Sequence, residues 1–341
     1  MSAITARTMQ VAEPNGSFEE VDVEIPDPGP GQVRVTVEAC GMCYSDAIMI
    51  ANGFPGISFP ITVGHEIAGR IESIGPYVEG WQVGDRVAIG WYGGSDGTCD
   101  ACRDGDPTNC PHLEVPGIAY PGGYADAVVV PAVALARIPD GLDAPDAGPM
   151  ACAGVTVFDP LRRSQAQPGD TVAILGVGGL GHLGVQFAAH MGFEPVAIDR
   201  GPDREKVAGE LGAMHYIDSA STDPAQALQD LGGAKVVLAT APNGAAMSST
   251  INGLGRRGEL IIIGATPDAL DVSAFQLITG TKSISGTAAG SALDVERTMR
   301  FAVETGVRPW TEELPLEQAG EGYAKMNSGQ ARFRMVLTTG N

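Results

Sequence analysis

Hydrophobic and polar residues alternate in several short runs near the start of the chain. In residues 33–37, valine occupies every second position and polar residues lie between, which is typical of a strand with one buried face. Residues 67–74 and 86–89 show similar patterns, and glycine and proline residues separate these runs. The pattern therefore predicts a β-rich region over about the first 150 residues.

The pattern changes near Pro168, where short apolar runs begin to alternate with helical segments. We predict strands at residues 171–175, 195–199, 235–240 and 259–264, and helices at 180–191, 203–211, 223–231 and 244–254. This alternation indicates βαβ units around a parallel sheet. The alternation weakens after residue 283, and we predict one more helix at 294–304 and a strand at 334–338, which could rejoin the first region.

A glycine-rich turn, Gly-Val-Gly-Gly-Leu-Gly, joins the first of these strands to its helix. Gly176 would allow the tight turn, Gly178 would let backbone amides approach a pyrophosphate, and Gly181 would let the helix pack closely on the strand. The phosphates would face the free N–H groups at the helix start. We predict a dinucleotide site with these contacts: Gly176, Gly178, Gly179, Leu180 and Gly181.

Asp199 ends the next predicted strand. A carboxylate there can accept hydrogen bonds from both ribose hydroxyls and repels a 2′-phosphate, which favours NAD over NADP. Arg200 follows directly and could weaken that preference. The alternative is an ordinary glycine-rich turn that Asp199 merely caps.

The charge of the chain restricts its partners. The 21 basic and 41 acidic residues give a formal net charge of −20, which argues against nucleic acid and anionic membranes as partners. No apolar stretch of the sequence is long enough to cross a bilayer, and residues 1–20 lack a signal-peptide pattern. We therefore expect a cytoplasmic protein.

Six cysteines in 341 residues are too few for a fold that disulfide bonds stabilise, and three of the six lie within twelve residues. Metal ligation is the better interpretation, although a disulfide stays open. One candidate set is local and suits a closed structural zinc site, whereas the other is dispersed and could form a catalytic site with an open position. The two sets are Asp96, Cys99, Cys102 and Cys110, and Cys43, His65, Glu66 and Cys152.

Several motifs occur in the order found in a known family. They are Gly-Met-Cys-Tyr-Ser-Asp at 41–46, Gly-His-Glu at 64–66, the cysteine cluster, Cys-Ala-Gly-Val-Thr at 152–156 and the glycine turn. Together they resemble the zinc-dependent alcohol dehydrogenases of the medium-chain dehydrogenase/reductase superfamily, and most closely the bacterial, yeast-type and cinnamyl-alcohol-dehydrogenase branch. The resemblance covers nearly the whole chain.

The resemblance implies an α/β fold of two domains. A GroES-like β-rich catalytic domain would comprise residues 1–152 and 288–341 and would carry a metal-binding lobe at about 91–112. A Rossmann domain with a doubly wound parallel sheet would comprise residues 153–287. The active site would lie in the cleft between them.

The resemblance also implies a role for each motif residue of the catalytic domain. Cys43, His65 and Cys152 match the ligands of the catalytic zinc, and Glu66 matches a carboxylate beside that zinc. Ser45 matches the hydroxyl that takes the alcohol proton.

Three further residues match positions around that site. Asp46 matches the carboxylate that orients the ligating histidine, since a bound imidazole needs its other N–H held. Thr156 matches a residue near the nicotinamide, and Arg334 matches a basic residue near the cofactor. Trp91 resembles a wall of the substrate pocket, with simple core packing as the alternative, and Cys40 is interpreted as a small core residue.

The sequence departs from the family pattern in two places. Many relatives carry a histidine where this chain has Ile48, and histidine often stands at the position of Tyr44, so the proton relay must be shortened or rerouted. Relatives with a structural zinc show four cysteines in the lobe, and Asp96 replaces the first of them here. Asp96 could complete that site or could be a solvated loop carboxylate.

The resulting prediction is reversible oxidation of a primary or secondary alcohol to an aldehyde or ketone with NAD⁺. The implied cofactors are a catalytic Zn²⁺, a structural Zn²⁺ and NAD, and the implied assembly is a homodimer or homotetramer. A polyol or formaldehyde-type dehydrogenase of the same superfamily, and a non-catalytic nucleotide-binding protein, are the alternatives.

Overall fold

A computed structural model of the protein describes residues 3–341. The chain folds into two compact units. The first unit is the segment that ends at Val155 together with Ala289–Asn341, and the second is Thr156–Ala288. That each unit is a separate domain with the predicted boundaries stays a prediction.

The chain contains fifteen strands and eleven α-helices within the described residues. The strands are β1 (Ile4–Val11), β2 (Phe18–Ile25), β3 (Gln32–Gly41), β4 (Glu66–Ile74), β5 (Arg86–Ile89), β6 (Ala127–Pro131), β7 (Ala136–Arg137), β8 (Thr171–Leu175), β9 (Glu194–Asp199), β10 (His215–Asp218), β11 (Ala234–Ala239), β12 (Leu254–Ile262), β13 (Ser283–Gly286), β14 (Thr311–Pro315) and β15 (Arg334–Thr338). The helices are α1 (Tyr44–Ile50), α2 (Asp100–Arg103), α3 (Ala144–Pro149), α4 (Val155–Arg163), α5 (Gly181–His190), α6 (Asp203–Glu210), α7 (Pro224–Asp230), α8 (Gly244–Thr250), α9 (Ala274–Ile278), α10 (Ala292–Thr305) and α11 (Ala319–Asn327). Over residues 3–341, no helix combines the length and the apolar character that a membrane span requires.

The first unit is built on a largely antiparallel sheet with the strand order β14-β15-β3-β4-β5-β7, and β6 also pairs with β3. The predicted alternation in β3 is confirmed, since Val33, Val35 and Val37 are fully buried. Arg34 is also buried, against the simple alternation, because its guanidinium pairs with Glu72 at 2.6 Å. The sheet register brings three strands together at one point: Gly41, which ends β3, lies opposite Glu66, which begins β4, and opposite Val336 in the middle of β15.

The second unit contains a six-stranded parallel sheet with the order β10-β9-β8-β11-β12-β13. Numbered within the unit, this is the order 3-2-1-4-5-6 of a doubly wound dinucleotide-binding sheet, so the predicted Rossmann class is confirmed. The order reverses between β8 and β11, and the glycine turn follows β8 at that point. In such sheets, ligands bind beyond the carboxyl ends of the strands where the order reverses.

Sequence patterns located most of the second unit but missed two short strands. No apolar run marks β10, because Ile217 is its one buried residue. The strand β13 has no fully buried residue. The strand β12 begins at Leu254, earlier than predicted, because the exposed Arg256 and Arg257 interrupt its apolar pattern.

Three glycines of the turn, Gly176, Gly178 and Gly181, differ in what the fold requires of them. Gly176 has a φ of +91°, which favours glycine, and a Cβ at position 181 would overlap the carbonyl oxygen of Gly176. A Cβ at position 178 would meet no atom within 4 Å. Gly181 is therefore required for the fold of the turn, whereas the structure gives Gly178 no packing role.

Gly181 and Gly178 give a matched pair of substitutions. We expect Gly181→Ala to destabilise the protein by about 1–3 kcal/mol, because the added methyl group overpacks the turn. Gly178→Ala should leave the urea-unfolding midpoint close to that of the wild type but should weaken nucleotide binding, because its methyl group would occupy the path of the pyrophosphate. A Gly178→Ala protein that binds nucleotide as tightly as the wild type would contradict the assignment of the turn.

Candidate functional site

Four predicted metal ligands of the first unit converge. One ligand atom from each of Cys43, His65, Glu66 and Cys152 lies within 4.8 Å of the others, and the last three residues are buried. The Cys152 Sγ atom is 3.4 Å from His65 Nε2. The spacing of these residues in the sequence could not show this convergence.

The sheet register explains why two of these segments meet. Cys43 follows the end of β3 by two residues, and Glu66 begins β4, which pairs with β3 at Gly41. A Cβ at Gly41 would overlap the Glu66 carboxylate, so only glycine leaves room for it there. Cys43, His65 and Glu66 are thus placed at one end of the sheet by the pairing of β3 with β4.

Cys152 reaches the same place from a helix. It lies in a π-helical segment, Met150–Gly154, which joins α3 to α4. Such segments are rare and are frequent at functional sites. The helix α3 approaches β4 closely at Gly148, where a Cβ would lie 2.7 Å from the carbonyl oxygen of Glu66.

A buried carboxylate fixes two of the candidate ligands. Asp46 Oδ1 is 2.9 Å from His65 Nδ1, and Asp46 Oδ2 accepts a hydrogen bond of 2.9 Å from the Cys43 backbone N–H. The Tyr124 hydroxyl donates a third bond of 3.1 Å to Oδ2. Nδ1 faces Asp46, and Nε2 faces the thiols. With a proton on Nδ1, the ring would present an unprotonated Nε2, which is the form that a metal ligand requires.

The thiols and the imidazole influence one another strongly. A hydrogen bond from Cys152 lowers the pKa of the Cys43 thiol well below its ordinary value, and the same bond, with burial, raises the pKa of Cys152. Burial alone would lower the pKa of His65, but the Asp46 carboxylate and Cys43 outweigh it and raise that pKa. The pocket thus favours a protonated His65 imidazole beside a Cys43 thiolate.

Arg334 lies at this cluster in the first unit, where its guanidinium pairs with Glu66. Burial raises the pKa of Glu66 to about 7, although the Arg334 charge opposes that shift. The Arg334 pKa is raised, because Glu66 and the thiols outweigh the effect of burial. The structure thus shows Arg334 as a countercharge at the cluster, and its contact with a nucleotide stays a prediction.

The donor set fits Zn²⁺. Two cysteine sulfurs and one imidazole nitrogen are ligands that zinc prefers, and three protein ligands leave one position open, as in catalytic zinc sites. Glu66 Oε2 is buried and has no hydrogen-bond partner among the described residues. A divalent cation at the cluster would give that oxygen a charge partner.

The second predicted set also converges. The ligand atoms of Asp96, Cys99, Cys102 and Cys110 lie within 4.8 Å of one another. Backbone N–H groups point to two of the sulfurs, from Cys102 to Cys99 Sγ at 3.5 Å and from residue 112 to Cys110 Sγ at 3.3 Å. A hydrogen bond from Ser95 lowers the pKa of the Cys102 thiol. The set forms a compact loop with sulfur and carboxylate donors, which suits a structural zinc.

His112 belongs to this loop, although no sequence pattern indicated it. Its Nδ1 is 2.6 Å from Asp96 Oδ2, and Asp96 Oδ1 accepts backbone bonds of 2.9 Å from Thr98 and Cys99. Together, these contacts lower the pKa of Asp96. The antiparallel backbone pairing of Gly94 with Glu114 brings residue 112 close to residue 96. No spacing rule in the sequence indicates that pairing.

The predicted nucleotide residues of the second unit surround the end of β8. Asp199 Oδ2 accepts a bond of 2.9 Å from the Val177 N–H of the glycine turn, and Oδ1 accepts one of 2.8 Å from the Arg200 N–H. Gly179 and Leu180 lie in the turn itself. Asp199 therefore caps the glycine turn, as the alternative interpretation of that turn required. Its carboxylate also lies beside the turn that would bind a pyrophosphate.

The remaining candidates are placed as follows. Ser45 is half-buried in the first turn of α1, and Thr156 is buried in α4. The Trp91 ring meets His65 edge-on with ring centroids 5.1 Å apart, and Phe54 packs on Trp91 at 5.6 Å. This contact gives the candidate metal site an apolar side. The prediction that Cys40 is a core residue is confirmed, since it is buried in the sheet core.

Comparisons with known proteins identify the family of the chain. The alcohol dehydrogenase GroES-like domain family matches residues 29–140, and the zinc-binding dehydrogenase family matches residues 179–304. Alcohol dehydrogenase notN of Aspergillus sp. strain MF297-2 is 41% identical over 93% of this chain and 93% of its own length. An alcohol dehydrogenase of Geobacillus stearothermophilus is 35% identical over 94% of this chain and 95% of its own length.

Solved structures agree as well. Cinnamyl alcohol dehydrogenase SbCAD4 of Sorghum bicolor is 27% identical, superposes with a TM-score of 0.90, and covers 98% of each chain. The resemblance inferred from the motifs, including the GroES-like and Rossmann classes, is thereby confirmed. The chain belongs to the zinc alcohol dehydrogenases of the medium-chain dehydrogenase/reductase superfamily.

Proposed function

We propose that the chain catalyses the reversible oxidation of a primary or secondary alcohol to an aldehyde or ketone, with NAD⁺ as the hydride acceptor. One observation carries the proposal. Two thiols and an imidazole that is held at its other nitrogen converge in a buried cluster, with Glu66 beside them. This donor set supports metal-assisted chemistry, and it disfavours the non-catalytic alternative.

The metal would be held by Cys43, His65 and Cys152. When bound, Zn²⁺ supplies Lewis-acid chemistry that favours ionisation of an alcohol hydroxyl. The chain's own residues then have separate tasks. Asp46 would hold the His65 ring in its ligating tautomer, and the Trp91 ring, which meets His65 edge-on, would shield that side of the cluster from water.

Ser45 would move the proton. Its hydroxyl accepts the alcohol proton while it releases its own proton toward water, so no net charge is left on the side chain. In this chain Ile48 cannot extend the relay as a histidine would, because its side chain neither donates nor accepts a hydrogen bond. We propose that the proton released by Ser45 passes to water.

Asp199 supports NAD as the cofactor. Both of its oxygens are held by backbone amides at 2.8–2.9 Å, so the carboxylate stays at the end of β9 beside the glycine turn. A carboxylate fixed there would accept hydrogen bonds from the ribose hydroxyls, and its negative charge would repel a 2′-phosphate. The exposed Arg200 is the group that could offset this charge.

The lobe would hold a second, structural zinc. Asp96 stands where the family pattern has a cysteine, and its ligand oxygen lies within 4.8 Å of the three sulfurs. We propose that Asp96 is a ligand, since a carboxylate held by His112 and two amides is already oriented in the cluster.

A cysteine pair tests the catalytic proposal. Cys43→Ser should lower alcohol oxidation by at least about a hundredfold and should lower the zinc content by one ion per chain, because a thiolate ligand is lost. Cys40→Ala is the matched control, because Cys40 is a neighbouring core cysteine with no proposed ligand role. Turnover would be followed by formation of the reduced nicotinamide over a panel of alcohols and polyols. A Cys43→Ser protein with wild-type turnover and full zinc would overturn the proposal.

A pair of aspartates tests the cofactor preference. Asp199→Ala should lower the ratio of kcat/KM with NAD⁺ to kcat/KM with NADP⁺ by about tenfold or more, because the repulsion of the 2′-phosphate is removed. Asp218→Ala is the control: Asp218 lies opposite Asp199 on β10 and also accepts backbone bonds. If the ratio stays unchanged in Asp199→Ala while both efficiencies fall together, Asp199 only supports the turn.

A further inference from the structure

We infer that Tyr124 is a positioning residue of the metal site. Its hydroxyl holds the Asp46 carboxylate in the orientation that fixes His65. The inference rests on the proposed function only in that it requires a metal ion at Cys43, His65 and Cys152. It assigns a role to a residue that neither the motif pattern nor the ligand set includes.

The geometry forms a chain of three groups, all fully buried. The Tyr124 hydroxyl donates to Asp46 Oδ2 at 3.1 Å, and Asp46 Oδ1 faces His65 Nδ1 at 2.9 Å. The Cys43 amide donates the other bond to Oδ2. Tyr124 is therefore the side-chain donor that opposes rotation of the carboxylate away from the imidazole.

The tyrosine itself is held rigidly. Its N–H donates to the Val63 carbonyl oxygen at 3.0 Å, and its own carbonyl accepts from the Met9 N–H at 2.8 Å. Its ring lies against Gly64, the residue before His65, which has a φ of +109° and where a Cβ would overlap the ring. Phe18 packs on the ring with centroids 5.8 Å apart. A ring confined in this way can define the position of its hydroxyl.

The direction of the hydrogen bond is also determined. Burial, and then the charge of Asp46, raise the pKa of Tyr124 well above its ordinary value. The phenol therefore stays protonated and donates to the carboxylate. Removing the hydroxyl would leave Oδ2 with the Cys43 amide alone, and the carboxylate would hold the imidazole less firmly.

Tyr124→Phe tests this role, because it removes one oxygen and keeps the ring. Groups that orient a metal ligand typically change metal affinity by about 10–100-fold. We expect the release of one of the two zinc ions per chain to a colorimetric chelator to accelerate by about tenfold, while the release of the other stays unchanged. Tyr120→Phe is the matched control: its hydroxyl donates to the Gly93 carbonyl at 2.7 Å, and Tyr120 is not connected to Asp46. Its release rate should stay within about twofold of the wild type.

A double-mutant cycle separates positioning from general stability. If Tyr124 acts through Asp46, Tyr124→Phe should change zinc release little in an Asp46→Asn background, so the two effects are not additive. A Tyr124→Phe protein that melts at a lower temperature but releases zinc at the wild-type rate would overturn the inference, and so would additive effects in the cycle. If the wild type binds no zinc under any condition, the proposed function itself fails, which is a distinct result.

Discussion

The pairing of β3 with β4 at Gly41 and Glu66 is the constraint on which the candidate site depends. It places Cys43 next to His65 and Glu66, although about twenty residues separate the two segments in sequence. The absence of a side chain at Gly41 gives the Glu66 carboxylate its space. A shift of one residue in this register would turn Glu66 to the other face of the sheet and disperse the cluster.

Buried charge is the second constraint. Asp46, Glu66, Arg334 and the thiols share a region with little access to water, where an uncompensated charge is costly. Asp46 is compensated by three hydrogen bonds and Glu66 by the Arg334 guanidinium. A divalent cation bound to both cysteines would favour their thiolate forms and would add positive charge beside Glu66.

The sequence predicted the elements of the second unit well, because the βαβ pattern and the glycine turn are local. The turn geometry at Gly176 and Gly181, and the position of Asp199, follow directly from that pattern. Convergence of Cys152 with Cys43 was not derivable from spacing, since it requires the register of β3 and the π-helical segment after α3. The family resemblance indicated these candidate ligands where local patterns could not.

Residues that act through other residues were the hardest to predict. Tyr124 and His112 contact Asp46 and Asp96 through tertiary pairings of loops, and neither lies at a spacing that a motif would reveal. Tyr44 and Ile48, which stand where relatives often carry histidine, also have a physical consequence. Tyr44 is exposed and Ile48 carries no polar atom, so the chain offers no imidazole there to carry the proton onward.

Anomalous X-ray diffraction at the zinc absorption edge would test the central claim most directly, on crystals of protein purified without added metal. The account predicts an anomalous peak bonded to Cys43 Sγ, His65 Nε2 and Cys152 Sγ, at zinc–sulfur distances of about 2.3 Å and zinc–nitrogen distances of about 2.0–2.1 Å. A crystal that shows no peak at these three atoms, even after soaking in zinc, would contradict it.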